Sequence, residues 1–513
     1  MITDLNDPRL NELVAQVTRI SPKLADCWQA TAIIESLGYT DRAIREEFGF
    51  EDALALGRYV YGSFTPTNQA SITETPAKPS IAVEFKIFFT EFSRSFMYAI
   101  PLMSVLLMEY LPLNKTPNQI PAPLSALLTL STITSLITSG GFVQMIQRQG
   151  QFYVQMGELP LAQKACLSLL KLGVGTSIVL SILGLWFGFY LGLFADHFLA
   201  LAAIYYVLLN TLWMVFALLP IFIPWGTPIS LLGLTIVVGC LRLALGLGAL
   251  ESQIVAVCLT LIGSALVIGI KAHQVAKKAS GPPKPLPQLS ALVYMLSPYF
   301  CYGVLYFSFI FADRVVAGSA INPASGLIFA IDSTYQRRMD LALLNFLLLV
   351  PMVEYLSYRF IYYWFSQSKV TVSHQFKKFS RQLYRQYFRV LSVAALLFIV
   401  IMSITFSLFR PADGSSIVSL QNLGGSLGYL FFSIGLLNAI ILFSLTRIID
   451  VLKALIPGFL ANLGVGYLLS HLMGVDYAVL GLIVGAAIFA VASGKTIIQA
   501  IHQPDYMYYL GGY

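Results

Sequence analysis

Charge is what this chain is shortest of. Asp, Glu, Lys and Arg make up 11% of its 513 residues, against about a quarter in an average soluble domain, while 57% are hydrophobic and 13% aromatic. Too few polar side chains remain to cover a water-facing surface of that size. The several soluble domains that length alone would suggest are therefore excluded. Cysteine is scarce too. Cys27, Cys166, Cys240, Cys258 and Cys301 stand singly with no CxxC, which removes disulfide frameworks and zinc sites. The five histidines are equally dispersed, so neither a metal site nor a cofactor is expected. "MITDLNDPRLNELVAQ" lacks a basic segment leading into an apolar one, so no cleavable signal peptide is expected. "VASGKTIIQ" ends like a phosphate-binding loop, but Phe489 stands where its first glycine belongs.

What the chain has is long apolar runs. A membrane-crossing helix needs about 20 mostly apolar residues, and six candidates fall at Ser93 to Leu113, Leu124 to Ile146, Leu172 to Phe194, Phe198 to Ile223, Pro228 to Leu250 and Gln253 to His273. Six more follow at Leu289 to Val315, Leu341 to Trp364, Val390 to Phe409, Ser426 to Arg447, Val451 to Met473 and Tyr477 to Ala500. The expected fold is an all-α integral membrane protein of about twelve transmembrane helices in two six-helix bundles, with a small N-terminal cytoplasmic helical domain. Its divisions are residues 1–64 (cytoplasmic bundle), 65–80 (flexible linker), 81–273 (first membrane half), 274–288 (proline- and lysine-rich linker) and 289–513 (second half). The loops after spans 2, 6, 8 and 10 hold most of the Lys and Arg, so both termini are expected in the cytoplasm of a multi-pass plasma (inner) membrane protein.

Residues 1–64 have ordinary polarity and read as three short helices, with Gly38 closing one and Thr40 or Asp41 capping the next. Ten acids against six bases give this piece the wrong sign for a nucleic-acid partner. The connection after span 8, "HQFKKFSRQLYRQYFRV", sets Lys377, Lys378, Arg381, Arg385 and Arg389 against Phe379, Leu383 and Tyr387. It reads as an amphipathic helix lying on the inner leaflet, with membrane lipids as its partner.

Ionisable residues inside spans are costly in hydrocarbon and mark cavities or partners. Arg242 falls within span 5, and Glu354 falls near the middle of span 8 with Pro351 before it and Arg359 after it. These three are the candidates for a cavity between the halves. Asp313 and Arg314 form a charge pair at the outer end of span 7, where headgroups are within reach. Gly481 and Gly485 in span 12 make a flat face for another helix.

Two six-span sets, long inner connections after spans 2 and 8, a central linker, and "FADRVVAGSA" followed by "STYQRRMDLALLNFLLLVPMVEYLSYRF" resemble the multidrug/oligosaccharidyl-lipid/polysaccharide (MOP) flippase superfamily. The likeness runs nearest to the Pel-type exopolysaccharide exporter family, on Asp313, Arg314, Tyr335, Asp340 and Pro351. The resemblance implies a transporter, not an enzyme, exporting a polysaccharide or lipid-linked sugar by alternating access through a central cavity. Asp313, Arg314 and Asp340 would then lie near an outer gate, tying span 7 to a neighbour or touching substrate. Polysaccharide-synthase subunits would be partners through residues 1–64. Two other classes stand beside this one. A membrane-embedded glycan polymerase or glycosyltransferase would need acids on an outer loop, where only Asp332 precedes Asp340. A non-transporting scaffold of a synthesis complex is the other.

Overall fold

The computed structural model describes residues 8–21, 24, 26–63, 88–90, 92–93, 96–103, 122–192, 194–278, 288–321, 332–368, 371, 375–409 and 419–503. Every regular element among them is helical. The chain divides into two compact units, one of Met1–Ile87, Ser357–Val390 and Ile498–Tyr513, the other of Phe88–Leu356 and Leu391–Ile497.

In the first unit, four helices rather than the expected three form the N-terminal bundle: α1 (Pro8–Ile20), α2 (Cys27–Ser36), α3 (Asp41–Glu47) and α4 (Ala53–Ser63). The missed one, α1, carries Leu13 and Val17 into a core with Ile34, Ile44, Leu56 and Val60. Caps fix the boundaries. The Asp26 carboxylate accepts from the Gln29 N–H at 2.8 Å and the Thr40 hydroxyl from the Ala43 N–H at 3.4 Å, while Gly38 turns at φ +94° after α2. Asp41 reaches further and accepts from the Ala53 N–H at the start of α4. Trp28, in step with the apolar residues of α2, is 61% exposed.

Among the described residues eleven helices are long and apolar enough to cross a membrane. Spans 2 to 6 are Ala122–Gln155, Leu159–Leu191, Asp196–Phe222, Gly226–Leu243 and Ala249–Lys278. Spans 7 to 12 are Leu289–Ala320, Ser333–Ser368, Phe376–Leu408, Leu420–Ser444, Ile448–Met473 and Ala478–His502. Helix persists wherever backbone hydrogen bonding does, so several ends lie beyond the apolar runs. Span 6 continues through Lys278 into the expected linker, of which residues 279–287 lie outside the described set. The loop between spans 7 and 8 lies outside it from 322 to 331, as does span 1 after Met103. Span 1 begins earlier than its expected start at Ser93: Phe88 already meets the Tyr355 ring edge-on at 4.9 Å, and Ala99 packs with Leu341 and Leu344 of span 8.

The ends of the spans that border the Lys- and Arg-rich loops are the expected inner ends. Spans 2 and 3 are 34 and 33 residues long and joined by the turn Met156–Gly157; spans 8 and 9 are 36 and 33 residues long. At 1.5 Å per residue each is about 50 Å, well past a hydrocarbon core of about 30 Å. Both halves thus project a pair of helix ends on the inner side. Spans 2, 4, 8 and 10 are each half buried or more, whereas spans 3 and 9 are less than a quarter buried. At these three positions the two halves match, as a repeated unit would have them.

The inner end of span 9 corrects the sequence reading. Phe376–Leu408 is one continuous helix, not a surface helix followed by a span. Phe379, Leu383 and Tyr387 are buried, with Tyr387 set 6.1 Å from Phe360 of span 8, so the apolar face is occupied by protein rather than acyl chains.

Within the second unit, two crossings bring backbones together. Spans 11 and 12 meet where Gly481 and Gly485 lie, and a Cβ on Gly458 would stand 2.7 Å from the Gly485 carbonyl oxygen. Spans 2 and 7, one from each half, cross at Gly140 and Gly303, where a Cβ on Gly140 would stand 2.9 Å from the Gly303 carbonyl oxygen. Only residues without a side chain permit such an approach.

Candidate functional site: a buried charge cluster and a seam between the halves

Asp313 and Arg314 do not reach headgroups. They are 1% and 4% exposed, on the side of span 7 that faces its own half. The Arg314 guanidinium donates to Asp340 Oδ1 of span 8 at 2.6 Å and lies 3.5 Å from the Tyr429 hydroxyl of span 10, which donates to the Ile310 carbonyl. The Tyr335 hydroxyl donates to Asp313 Oδ2 at 3.2 Å. Burial makes such a pair expensive unless geometry and extra hydrogen bonds compensate, and the two tyrosines supply them. The structure therefore brings Asp313, Arg314 and Asp340 together and ties spans 7, 8 and 10.

Asp313 Oδ1 has no hydrogen-bond partner among the described residues, and Asp340 keeps a 24% exposed side chain. Amides continue the polar layer: Asn345 donates to the Ser426 hydroxyl at 3.2 Å and Asn462 to the Phe309 carbonyl at 3.1 Å. Arg338 donates to Gln421 of span 10 at 3.0 Å. Asp332 accepts from the Thr334 and Tyr335 N–H groups and serves as the cap of span 8.

The cavity candidates are dispersed. Arg242 lies within span 5, in its last turn, half-buried. Glu354 is exposed and within electrostatic range of Tyr306 on span 7. Arg359 is exposed and belongs to the other compact unit, with Lys377, Lys378, Arg381, Arg385 and Arg389.

The first half holds a neutral polar group, built from side chains that are not ionised. Asn210 of span 4 donates to the Thr138 hydroxyl of span 2 at 2.6 Å, and Thr138 lies 3.1 Å from the Tyr206 hydroxyl. Ser131, Ser135 and Ser139 share span 2 with Thr138 and are buried. The signal was legible as Asn residues inside apolar runs.

Between the halves, the inner parts of spans 2 and 7 form one seam. Inward from Gly140 and Gly303, Phe142 meets Phe300 edge-on at 5.1 Å, the Arg148 guanidinium lies 5.3 Å from the Tyr299 ring centre, and Leu292 and Leu296 join one core with Met145 and Ile146. The outer ends of the same spans pack within their own halves, Leu127 with Leu199 and Ala202, and Val316 against Gly466.

No protein-family model and no curated protein matches the chain. Solved structures do. The fold is similar to the outward-facing conformation of a multidrug resistance MATE family transporter of the MOP superfamily (TM-score 0.53, 12% identity), covering 81% of this chain and 96% of that one. It is similar at the same coverage to the eukaryotic MATE transporter AtDTX14 (0.55, 15%) and to MATE in the straight conformation (0.52, 12%). The chain thus has the fold of MATE transporters, in two helical bundles.

Proposed function

We propose that the chain is an alternating-access exporter of the MOP superfamily, moving a glycan or lipid-linked sugar outward across the inner membrane with both termini in the cytoplasm. The observation that carries this reading is the seam of spans 2 and 7. Two halves that are closed together inward of a glycine crossing, while their outer ends pack each within its own half, make a body that can rock about that crossing. Glu354 and the half-buried Tyr306 ring of span 7 supply a carboxylate and an aromatic face for a sugar. The neutral Thr138, Tyr206 and Asn210 group suits hydroxyls better than cations. Asp313, whose Oδ1 has no hydrogen-bond partner among the described residues, supplies a seat for one coupling proton. The Pel-type likeness and synthase subunits docked on residues 1–64 belong to the same proposal. Asp332, engaged as a helix cap, weighs against a polymerase.

Multidrug efflux is the second reading, favoured by likeness to the multidrug resistance transporter. Purified protein in proteoliposomes discriminates the two. A fluorescent lipid-linked oligosaccharide should become accessible to a sugar-cleaving enzyme on the far side, about tenfold more slowly with Glu354→Gln. Efflux of a cationic dye without movement of the sugar would assign the protein to drug transport. Movement of neither would overturn the transporter reading.

A further inference from the structure

We propose that the inner ends of spans 8 and 9 form a docking surface for an acidic helix of a cytoplasmic protein. Residues 357–390 contain seven Lys and Arg and no Asp or Glu. Five of these, Lys377, Lys378, Arg381, Arg385 and Arg389, are exposed on the inner end of span 9, and none is ion-paired with a described acid. The chain's own acidic bundle belongs to the same compact unit yet leaves them exposed, so its described helices are not the occupant.

The positive-inside rule does not by itself ask for this pattern. The corresponding stretch of the first half, residues 147–171, carries three bases and one acid, and meets the rule without a stripe. The stripe is also long for a row that serves headgroups alone. Lys377, Arg381, Arg385 and Arg389 repeat every four residues on a single helix, spanning about 18 Å at 1.5 Å per residue. With Leu391–Leu408 crossing the hydrocarbon and the helix upright, only the end next to Leu391 would lie within a Debye length, about 8 Å, of the membrane surface. Beyond it, the charge faces the cytoplasm.

Aromatic side chains favour a protein among possible polyanions. Tyr384 and Phe388 lie exposed between the cations with rings 4.7 Å apart, and Tyr358 and Tyr362 are exposed on span 8. Arg with exposed Tyr and Phe is the composition of protein-binding patches. The support beneath is rigid: Phe360 packs edge-on against Trp364, and Phe379, Leu383 and Tyr387 are buried. The surface is therefore ordered before a partner arrives, which lowers the entropic cost of binding. Carboxylates repeating every four residues on a partner helix would meet the four cations in register.

Full-length protein in neutral phosphatidylcholine nanodiscs should bind a fluorescent 20-residue helical peptide with Glu at every fourth position, and bind a scrambled peptide of the same composition more weakly. Arg381→Gln with Arg385→Gln should weaken binding about tenfold or more, while Lys164→Gln with Lys171→Gln should leave it unchanged; monodispersity checks folding of each variant. Three results would each overturn the proposal. One is peptide binding that is absent or indifferent to Arg381 and Arg385. Another is tighter binding of a 20-nucleotide RNA. The last is an Arg381→Cys thiol that reacts in neutral nanodiscs but is shielded in phosphatidylglycerol nanodiscs, which would make lipid the occupant.

Discussion

Removing the Arg314 guanidinium would leave Asp313 and Asp340 without the cation that both feel, in a place from which water is largely excluded. Breaking one side of a buried pair costs about 3–5 kcal/mol. Arg314→Gln should therefore lower the free energy of denaturant unfolding in detergent by that much, while Tyr429→Phe, which removes one hydroxyl, should cost about 1 kcal/mol. Equal stability of all three proteins would show that the cluster holds nothing together. At this scale the sequence was half legible. Adjacent Asp313 and Arg314 announce themselves, but nothing local names Tyr429, which lies 115 residues from Arg314. The pair does not sit at headgroup level, because the end of an apolar run is not in itself a surface. Span 7 ends at Ala320, and other helices surround the pair.

Helices were legible where apolar length decides, and their ends were not. Hydropathy reports which residues avoid water, whereas a helix ends where its backbone hydrogen bonds end. Span 9 is the clearest case: its basic first turns look like a separate surface helix by composition, yet they continue into Leu408 without interruption. The crossing of spans 2 and 7 was invisible in sequence, since Gly140 and Gly303 sit in different halves and no periodicity links them. It makes a strong prediction. Gly303→Val adds atoms where the Gly140 carbonyl lies, and overpacking of this kind costs about 1–3 kcal/mol. That cost falls on the closed seam, so a cysteine at Tyr299 in a cysteine-less background should react with an impermeant thiol reagent about tenfold faster than in the Gly303 parent, the response to roughly 1.4 kcal/mol. An unchanged rate would mean that the crossing tolerates separation and does not set the inner closure.

At the scale of the whole molecule, the chain is two helical bundles of MATE fold with a seam drawn in on one side. Scarcity of charge made the membrane class legible, and burial now distinguishes central from lipid-facing spans at matching positions of the halves. The rocking of the halves is the claim on which the functional reading depends. Spin labels at Gln151 and Ser290 report the inner ends of spans 2 and 7, and labels at Ser125 and Ser319 report the outer ends. Double electron–electron resonance on the two pairs in nanodiscs, with and without a lipid-linked oligosaccharide, is the most direct measurement. The account predicts opposite changes: a population in which the inner distance lengthens while the outer one shortens. Single, unchanged distance distributions for both pairs under every condition would contradict it.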